Sequence, residues 1–344
     1  MSVKKYIEIV NEGRNLLYGE MIEAAQQLFS GEATDEDMTR FLVGLANKGE
    51  TASEVAALAT VMTSHALPVD VPQARYLDNC GTGGDGSNSF NISTTAAFVL
   101  AGAGVKVAKH GNRKISSAAG SHDVLDALGI HARFNTTEMA DLLEAEGITF
   151  LFAPVVHPKM KRIGEIRRRI GKPTIFNLVG PLTNPVSLPT QFTGINRPDF
   201  IMDYASVLRM LGRERAIVVS GAGGMDEASL AGQNSFVLLD KGDLIPFSLT
   251  AEEVGLKYAH LSAIRGGTAD ENAAMIRSIL NGERGPRFDT VVLNAGLGLF
   301  ANGLTDTIRE GVDVATDSIV SGHARRKLEV VVAYSEQIGR EVSV

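Results

Sequence analysis

The chain has 344 residues, of which 44% are hydrophobic and 21% charged, enough apolar content for a real core and too much for a disordered chain. Lys plus Arg is 33 against 40 for Asp plus Glu, a net charge of −7, which disfavours a protein whose main task is to grip nucleic acid. The one cysteine, Cys80, excludes an intramolecular disulfide and argues against a Cys-built zinc site.

At the N-terminus, Lys4, Lys5, Glu8, Glu12 and Arg14 leave no room for the apolar core of a signal peptide. Residues 1 to about 70 read as helices only. Met21, Ala25, Leu28 and Phe29 share one helical face, and Thr34 is placed to cap a helix with the stripe Met38, Phe41, Leu42 and Leu45. Thr51 and Glu54 have capping-box spacing ahead of Val55, Leu58 and Met62, and Pro68 and Pro72 then mark a linker. Beyond Pro72, β-prone runs alternate with helical patterns. Val105–Ala108 and Ala216–Ser220 read as buried strands, and Asp240-Lys241-Gly242-Asp243 as a hairpin turn between Phe236–Leu239 and Leu244–Leu249. Helical patterns cover 94–103, 122–129, 137–146 and 200–211; Asp289–Leu299 fits either strand or helix, in a mostly helical C-terminal third. The fold class expected is α/β, with a hairpin adding antiparallel pairing. The longest apolar run, Ala96–Val105, is ten residues, too short to span a membrane, so a soluble cytoplasmic protein is the expectation.

Gly81-Thr82-Gly83-Gly84-Asp85-Gly86 follows the extended segment Tyr76–Asn79 and satisfies G-x-G-x-x-G as letters. A dinucleotide site also needs an acid about 20 residues on, to hold a ribose. Here the 37 residues from Gly86 to His122 contain no Asp or Glu; they hold Lys106, Lys109, Arg113 and Lys114 and nine Ser or Asn residues. No Gly-Lys-Ser/Thr follows, so it is not a Walker loop. A glycine-rich turn points several N–H groups at one place, and Ser93 or Thr94 is a natural N-cap for the apolar helix that follows. Lys109-His110-Gly111-Asn112-Arg113 adds cations and another tight turn. Each loop alone is ordinary turn chemistry. Together, with acids excluded throughout, they point to an extended polyanion with a hydroxyl-bearing middle, such as a sugar carrying phosphates at both ends.

Four motifs occur in order: Gly81-Thr82-Gly83-Gly84-Asp85, Asn91-Ile92-Ser93-Thr94, Lys109-His110-Gly111-Asn112-Arg113 and Gly180-Pro181-Leu182-Thr183-Asn184-Pro185. With them the chain resembles the anthranilate phosphoribosyltransferases nearly end to end. Ser89 stands where the family has Thr, and Cys80 and His122 replace smaller or apolar residues. The resemblance implies transfer of the 5-phosphoribosyl group of phosphoribosyl pyrophosphate (PRPP) to the amine of anthranilate, a step of tryptophan synthesis. It also implies magnesium, two ions per site, and a homodimer. The architecture implied is nucleoside-phosphorylase-like: a small helical domain, 1–70, joined by the basic segment near 157–180, beside an α/β domain, 73–344, with a mostly parallel, mixed sheet. PRPP contacts are implied at Gly81, Gly84, Asp85, Ser89, Asn91, Ile92, Ser93, Thr94, Lys109, His110, Gly111, Asn112, Arg113, Ser116, Ser117 and Ser121. Anthranilate contacts are implied at Gly81, His110, Asn112 and Arg167, and metal ligands at Ser93, Asp226 and Glu227.

On spacing alone, Asp226-Glu227 after the strand Ala216–Ser220 is a solvated acidic turn or a flexible loop suited to a hard cation; the resemblance selects the second. Lys159, Lys161, Arg162, Arg167, Arg168, Arg169 and Lys172 crowd one segment against the single acid Glu165. They read as a solvated helix face, as a nucleic-acid patch without the usual aromatics, or as a face with one arginine turned inward toward a carboxylate. His65, His131, His260 and His323 read as surface or helix-end residues; His110 and His157 lie in motif segments, but neither forms a recognisable nucleophile triad. Two rivals remain. A pyrimidine nucleoside phosphorylase of the same architecture would need no metal-bound pyrophosphate. A non-catalytic nucleic-acid-binding relative would be expected to lose the acids or the glycine loop.

Overall fold

Thr34 and Thr51 act as their positions suggest. In the computed structural model, which describes residues 3–112, 119–131 and 134–341, the Thr34 hydroxyl accepts from the Asp37 N–H at 3.1 Å and opens the helix Asp35–Lys48. Thr51 and Glu54 close a reciprocal capping box on Ala52–Ser64. With Lys4–Asn11 and Tyr18–Ser30, these helices bury Tyr6, Met21, Phe41, Leu45 and Leu58 in one apolar cluster. The same cluster takes Ile163, Ile166, Ile175, Phe176 and Leu178 from the segment that carries the basic run. Glu54 is the polar centre of this bundle. Its carboxylate is fully buried and accepts from the Leu16 N–H (2.8 Å), the Thr51 N–H (2.9 Å) and Lys48 Nζ (2.7 Å). Glu54→Ala removes both amide acceptors and the counter-charge of Lys48, and is expected to cost about 3–5 kcal/mol in urea unfolding, with Glu54→Gln losing less.

Seven strands form one sheet among the described residues: β1 Tyr76–Asp78, β2 Lys106–Gly111, β3 Ile148–Phe152, β4 Thr190–Gly194, β5 Arg215–Ser220, β6 Asn234–Asp240 and β7 Asp243–Leu249. Their order is β3-β2-β1-β4-β5-β6-β7, with β1 to β5 parallel and β6 and β7 antiparallel. The hairpin turn is Lys241-Gly242, both at positive φ (50° and 95°), as a two-residue turn of this hand requires. The second expected tight turn is partly strand instead. Lys109, His110 and Gly111 continue β2 and pair with Phe150, Leu151 and Phe152, so only Asn112 onward leaves the sheet. Asp289–Leu299 is helical within Pro286–Asn302: Pro286 sits at the first turn, Gly303 closes the helix in the left-handed conformation, and burial on nearly every side explains its continuous apolar run. No helix of the described residues is long and apolar enough to cross a membrane.

The chain winds outward from β1 to β3, then crosses back to β4 on the other side of β1. Two neighbouring strands therefore send their outgoing loops to opposite sides, and a crevice opens beyond their carboxyl ends. The glycine loop leaves β1 at this point.

Candidate active site

Asp78 ends β1 and is fully buried. Its carboxylate accepts from the Cys80 N–H (3.0 Å), the His110 N–H (3.2 Å) and Asn184 Nδ2 (3.0 Å). Burial pushes its carboxyl up to about 6, while nearby Lys109 and these donors pull the other way. Asn184 Nδ2 also donates to the Ala108 carbonyl at 2.7 Å. One carboxylate thus ties the glycine loop, β2 and the Gly180–Pro185 segment together. The Gly180 carbonyl meets His110 Nδ1 at 3.1 Å, which requires the proton on Nδ1 and leaves Nε2 as a buried acceptor with no donor. His157 lies edge-on to His110 at 5.2 Å. Burial pushes the two imidazoles down to about 3 (His110) and about 4 (His157), so both are neutral at pH 7.

After β1, Gly83, Gly84, Gly86 and Asn88 take positive φ and curl the loop. The Gly83 N–H donates to Asp226 Oδ2 at 2.6 Å, and the Ser93 N–H, in the first turn of Ile92–Gly102, donates to Glu227 Oε1 at 3.0 Å. The expected cap moves: Asn91, not Ser93 or Thr94, is the N-cap, and its side chain makes no capping bond. Asn91 is held by Asn272 and the Ala119 carbonyl, so the helix N-terminus stays open to anions and Glu227.

Asp226 and Glu227 are not on a solvated flexible loop either. Asp226 is 9% exposed, Glu227 is half-buried, and the Gly221 N–H fixes the turn to the Met225 carbonyl at 2.8 Å. Backbone packs on backbone here. A Cβ on Gly194 would overlap the Asp226 carbonyl, and one on Gly221 the Glu227 carbonyl. Gly194→Ala is therefore expected to displace the acids and lower the melting temperature; an unchanged melt would contradict this packing. Burial first, then Asp85, raises the Asp226 carboxyl; burial, then Asp226 and Asp85, raises Glu227 well above the usual range. Asp85 Oδ2 is itself buried without a donor among the described residues. These crowded carboxylates, opposed by the charge of Lys109, fit a hard divalent cation. Among the described residues no three His, Cys, Asp or Glu side chains converge to hold an ion unaided, so water or ligand oxygens must complete the shell.

The basic segment divides. Arg162 and Arg169 pair with Asp35 of the helical bundle. Lys159, Lys161, Arg168 and Lys172 are exposed. Arg167 turns inward: among the described residues it makes no ion pair, donates to Asn177 Oδ1 at 3.1 Å and lies 5.6 Å over the Phe176 ring. Burial lowers its guanidinium below the usual value. Asn177 lies on the helix Phe176–Val179, directly before the Gly180 that meets His110, so one short segment runs from Arg167 to β2. His65 caps a helix C-terminus, and His131, His260 and His323 are exposed.

Gly81, Gly84, Asp85, Ser89 and Asn91–Thr94 therefore form the rim after β1, with Lys109–Asn112 beside it on and after β2. Ser121 donates to the Asn112 carbonyl at 2.9 Å. Arg113, Ser116 and Ser117 lie outside the described residues. Sequence reasoning missed Asp78, Asn177 and Gly194. Asn177 stands three residues before the Gly180 motif, but its role depends on Arg167 folding back onto it.

The chain matches the family models "Glycosyl transferase family, helical bundle domain" over residues 4–66 and "Glycosyl transferase family, a/b domain" over residues 73–325. It is 54% identical to the anthranilate phosphoribosyltransferase of Exiguobacterium sibiricum, over 97% of this chain and 99% of that one. Its structure superposes on the anthranilate phosphoribosyltransferase of Thermus thermophilus with a TM-score of 0.91, at 42% identity, over 96% of this chain and 99% of that one. The Saccharomyces cerevisiae enzyme in complex with PRPP and Mg matches at a TM-score of 0.89 and 27% identity, over 97% of this chain and 98% of that one.

Proposed function

The chain belongs to the anthranilate phosphoribosyltransferase family, and from that premise we propose that it transfers the 5-phosphoribosyl group of PRPP to the amine of anthranilate, releasing pyrophosphate. The observation that carries this reading is the pairing of two opposite deficits across one crevice: crowded carboxylates beside the glycine loop, and an inward-turned, half-buried arginine that has no carboxylate partner among the described residues and rests on Asn177, three residues before the Gly180 that meets His110.

Asp226, Glu227 and the Ser93 hydroxyl would hold magnesium, two ions per site. When bound, magnesium supplies Lewis-acid stabilisation of the departing pyrophosphate oxygens. The open N-terminus of Ile92–Gly102, the loop amides and buried Lys109 neutralise phosphate. Arg167, steadied by Asn177, takes the anthranilate carboxylate. Neutral His110, its proton committed to Gly180, offers Nε2 to an N–H of the amine. The amine lone pair forms the C1–N bond as C1–O breaks, the electron pair of C1–O leaves with pyrophosphate, and the nitrogen's surplus proton passes to water or to the departing pyrophosphate. Positioning and charge stabilisation do this without a protein nucleophile.

Further proposals follow from the family and the packing. Residues 1–70 with the 157–180 segment move as one unit against the rest of 73–344, closing the crevice when both substrates bind. The protein works as a cytoplasmic homodimer. A fluorescence assay of anthranilate consumption tests the central reading: loss of signal should need both PRPP and magnesium. Phosphorolysis of thymidine or uridine in its place would favour the phosphorylase, and a mobility shift with nucleic acid alone the binding relative.

A further inference from the structure

The segment from Gly86 to Phe90 has no strand partner from the sheet, yet it is not free. Ile264–Gly266 lies antiparallel across it. The Phe90 N–H donates to the Ile264 carbonyl (3.1 Å), the Gly266 N–H to the Asn88 carbonyl (2.9 Å), and Ser89 bridges Arg265. Next along the chain stands Asn272, 1% exposed on the helix Ala269–Leu280. Both ends of its amide are used. Oδ1 accepts from the Gly267 N–H at 2.7 Å, fixing which end is oxygen, and Nδ2 donates to Asn91 Oδ1 at 2.9 Å. That bond fixes Asn91 in turn, whose Nδ2 reaches the Ala119 carbonyl at 3.3 Å.

The consequence lies at the helix N-terminus. An Asn at the N-cap normally turns its side-chain oxygen onto the second or third amide of its own helix. Asn91 does not, because its oxygen is already taken. The Ser93 N–H is left for Glu227, and the buried Thr94 hydroxyl has no partner among the described residues. We propose that Asn272 is a positioning residue for phosphate binding, acting through Asn91 by holding its side chain off the helix N-terminus that receives the PRPP anion. This rests on the reading above that PRPP binds here. Without Asn272, the Asn91 oxygen swings onto its own helix and competes with the ligand for the same amides.

The isosteric Asn272→Asp keeps the acceptor for Gly267 and removes the donor to Asn91. It is expected to raise KM for PRPP about tenfold, the effect of one lost buried hydrogen bond, with kcat and KM for anthranilate changed less than about twofold. The decisive comparison is a cycle with Asn91→Ala. If Asn272 acts through Asn91, Asn272→Asp adds nothing in the Asn91→Ala background; if the two effects multiply, or both substrates suffer alike, the proposal is overturned. Should Asn272→Asp not accumulate as folded protein, the smaller Asn272→Ser, which cannot reach Asn91, runs the same cycle with the same two outcomes. Wild-type protein that consumed anthranilate without PRPP would overturn the substrate reading itself, independently of the cycle.

Discussion

Asp226→Asn combined with Glu227→Gln is expected to lower the rate at saturating substrates about a thousandfold, the scale of losing several kcal/mol of charge stabilisation on a leaving pyrophosphate. In metal-free protein at neutral pH the same variant should melt higher than wild type. The two carboxyls are raised from ordinary values of 3.8 and 4.5, Asp226 by burial and then Asp85, Glu227 by burial and then Asp226 and Asp85. The folded chain therefore keeps protons that the unfolded chain releases once pH climbs past about 4, and these acids destabilise the fold increasingly toward neutrality. His110 and His157 act in the opposite sense. Their folded values, about 3 and about 4, lie below the ordinary 6.5, so stability rises with pH up to that value. The difference between variant and wild-type melts cancels the histidines. It should be small at pH 4, grow as pH rises to 7.5, and be reduced or reversed when magnesium and pyrophosphate are added to wild type. A variant that melts lower at pH 7.5, or whose rate follows magnesium as wild type does, would contradict the metal role of these acids.

Arg167→Ala is expected to raise KM for anthranilate roughly tenfold to a hundredfold, the effect of losing about 1.5–3 kcal/mol from a charge-assisted bond. KM for PRPP should move little, because the phosphate site proposed above uses the glycine loop, Lys109 and the Ile92–Gly102 terminus instead. The melting temperature should not fall, since the substitution removes a half-buried charge that has no acidic partner among the described residues. Arg167→Lys should recover little, because a point charge cannot present a fork to a carboxylate while also donating to Asn177. Equal damage toward both substrates would place Arg167 in the framework instead.

Much of this was legible in the sequence because it is local. Thr34, Thr51 with Glu54, and Lys241-Gly242 fix helix starts and a hairpin through bonds within four residues. The absence of acids between Gly86 and His122 marked the phosphate side before any fold was known. What stayed hidden depends on contacts across the chain. Lys109–Gly111 is strand because β3 pairs with it, although its glycine and cations suggest a turn. Asn91 fails as a side-chain cap only because Asn272, 181 residues away, holds its oxygen. Asp226 and Glu227 look like a solvated turn in letters, and the glycine that admits their backbone, Gly194, belongs to a different strand. Of the basic run, only packing against Phe176 and Asn177 separates Arg167 from its neighbours.

The most direct single measurement is a phosphorus NMR time course on PRPP, magnesium and anthranilate with wild-type protein, in parallel with anthranilate fluorescence. Pyrophosphate should appear in a one-to-one ratio with anthranilate consumed, and neither should change when magnesium is withheld. Pyrophosphate released at the same rate without anthranilate, or anthranilate consumed with inorganic phosphate as the product, would contradict direct transfer at this crevice.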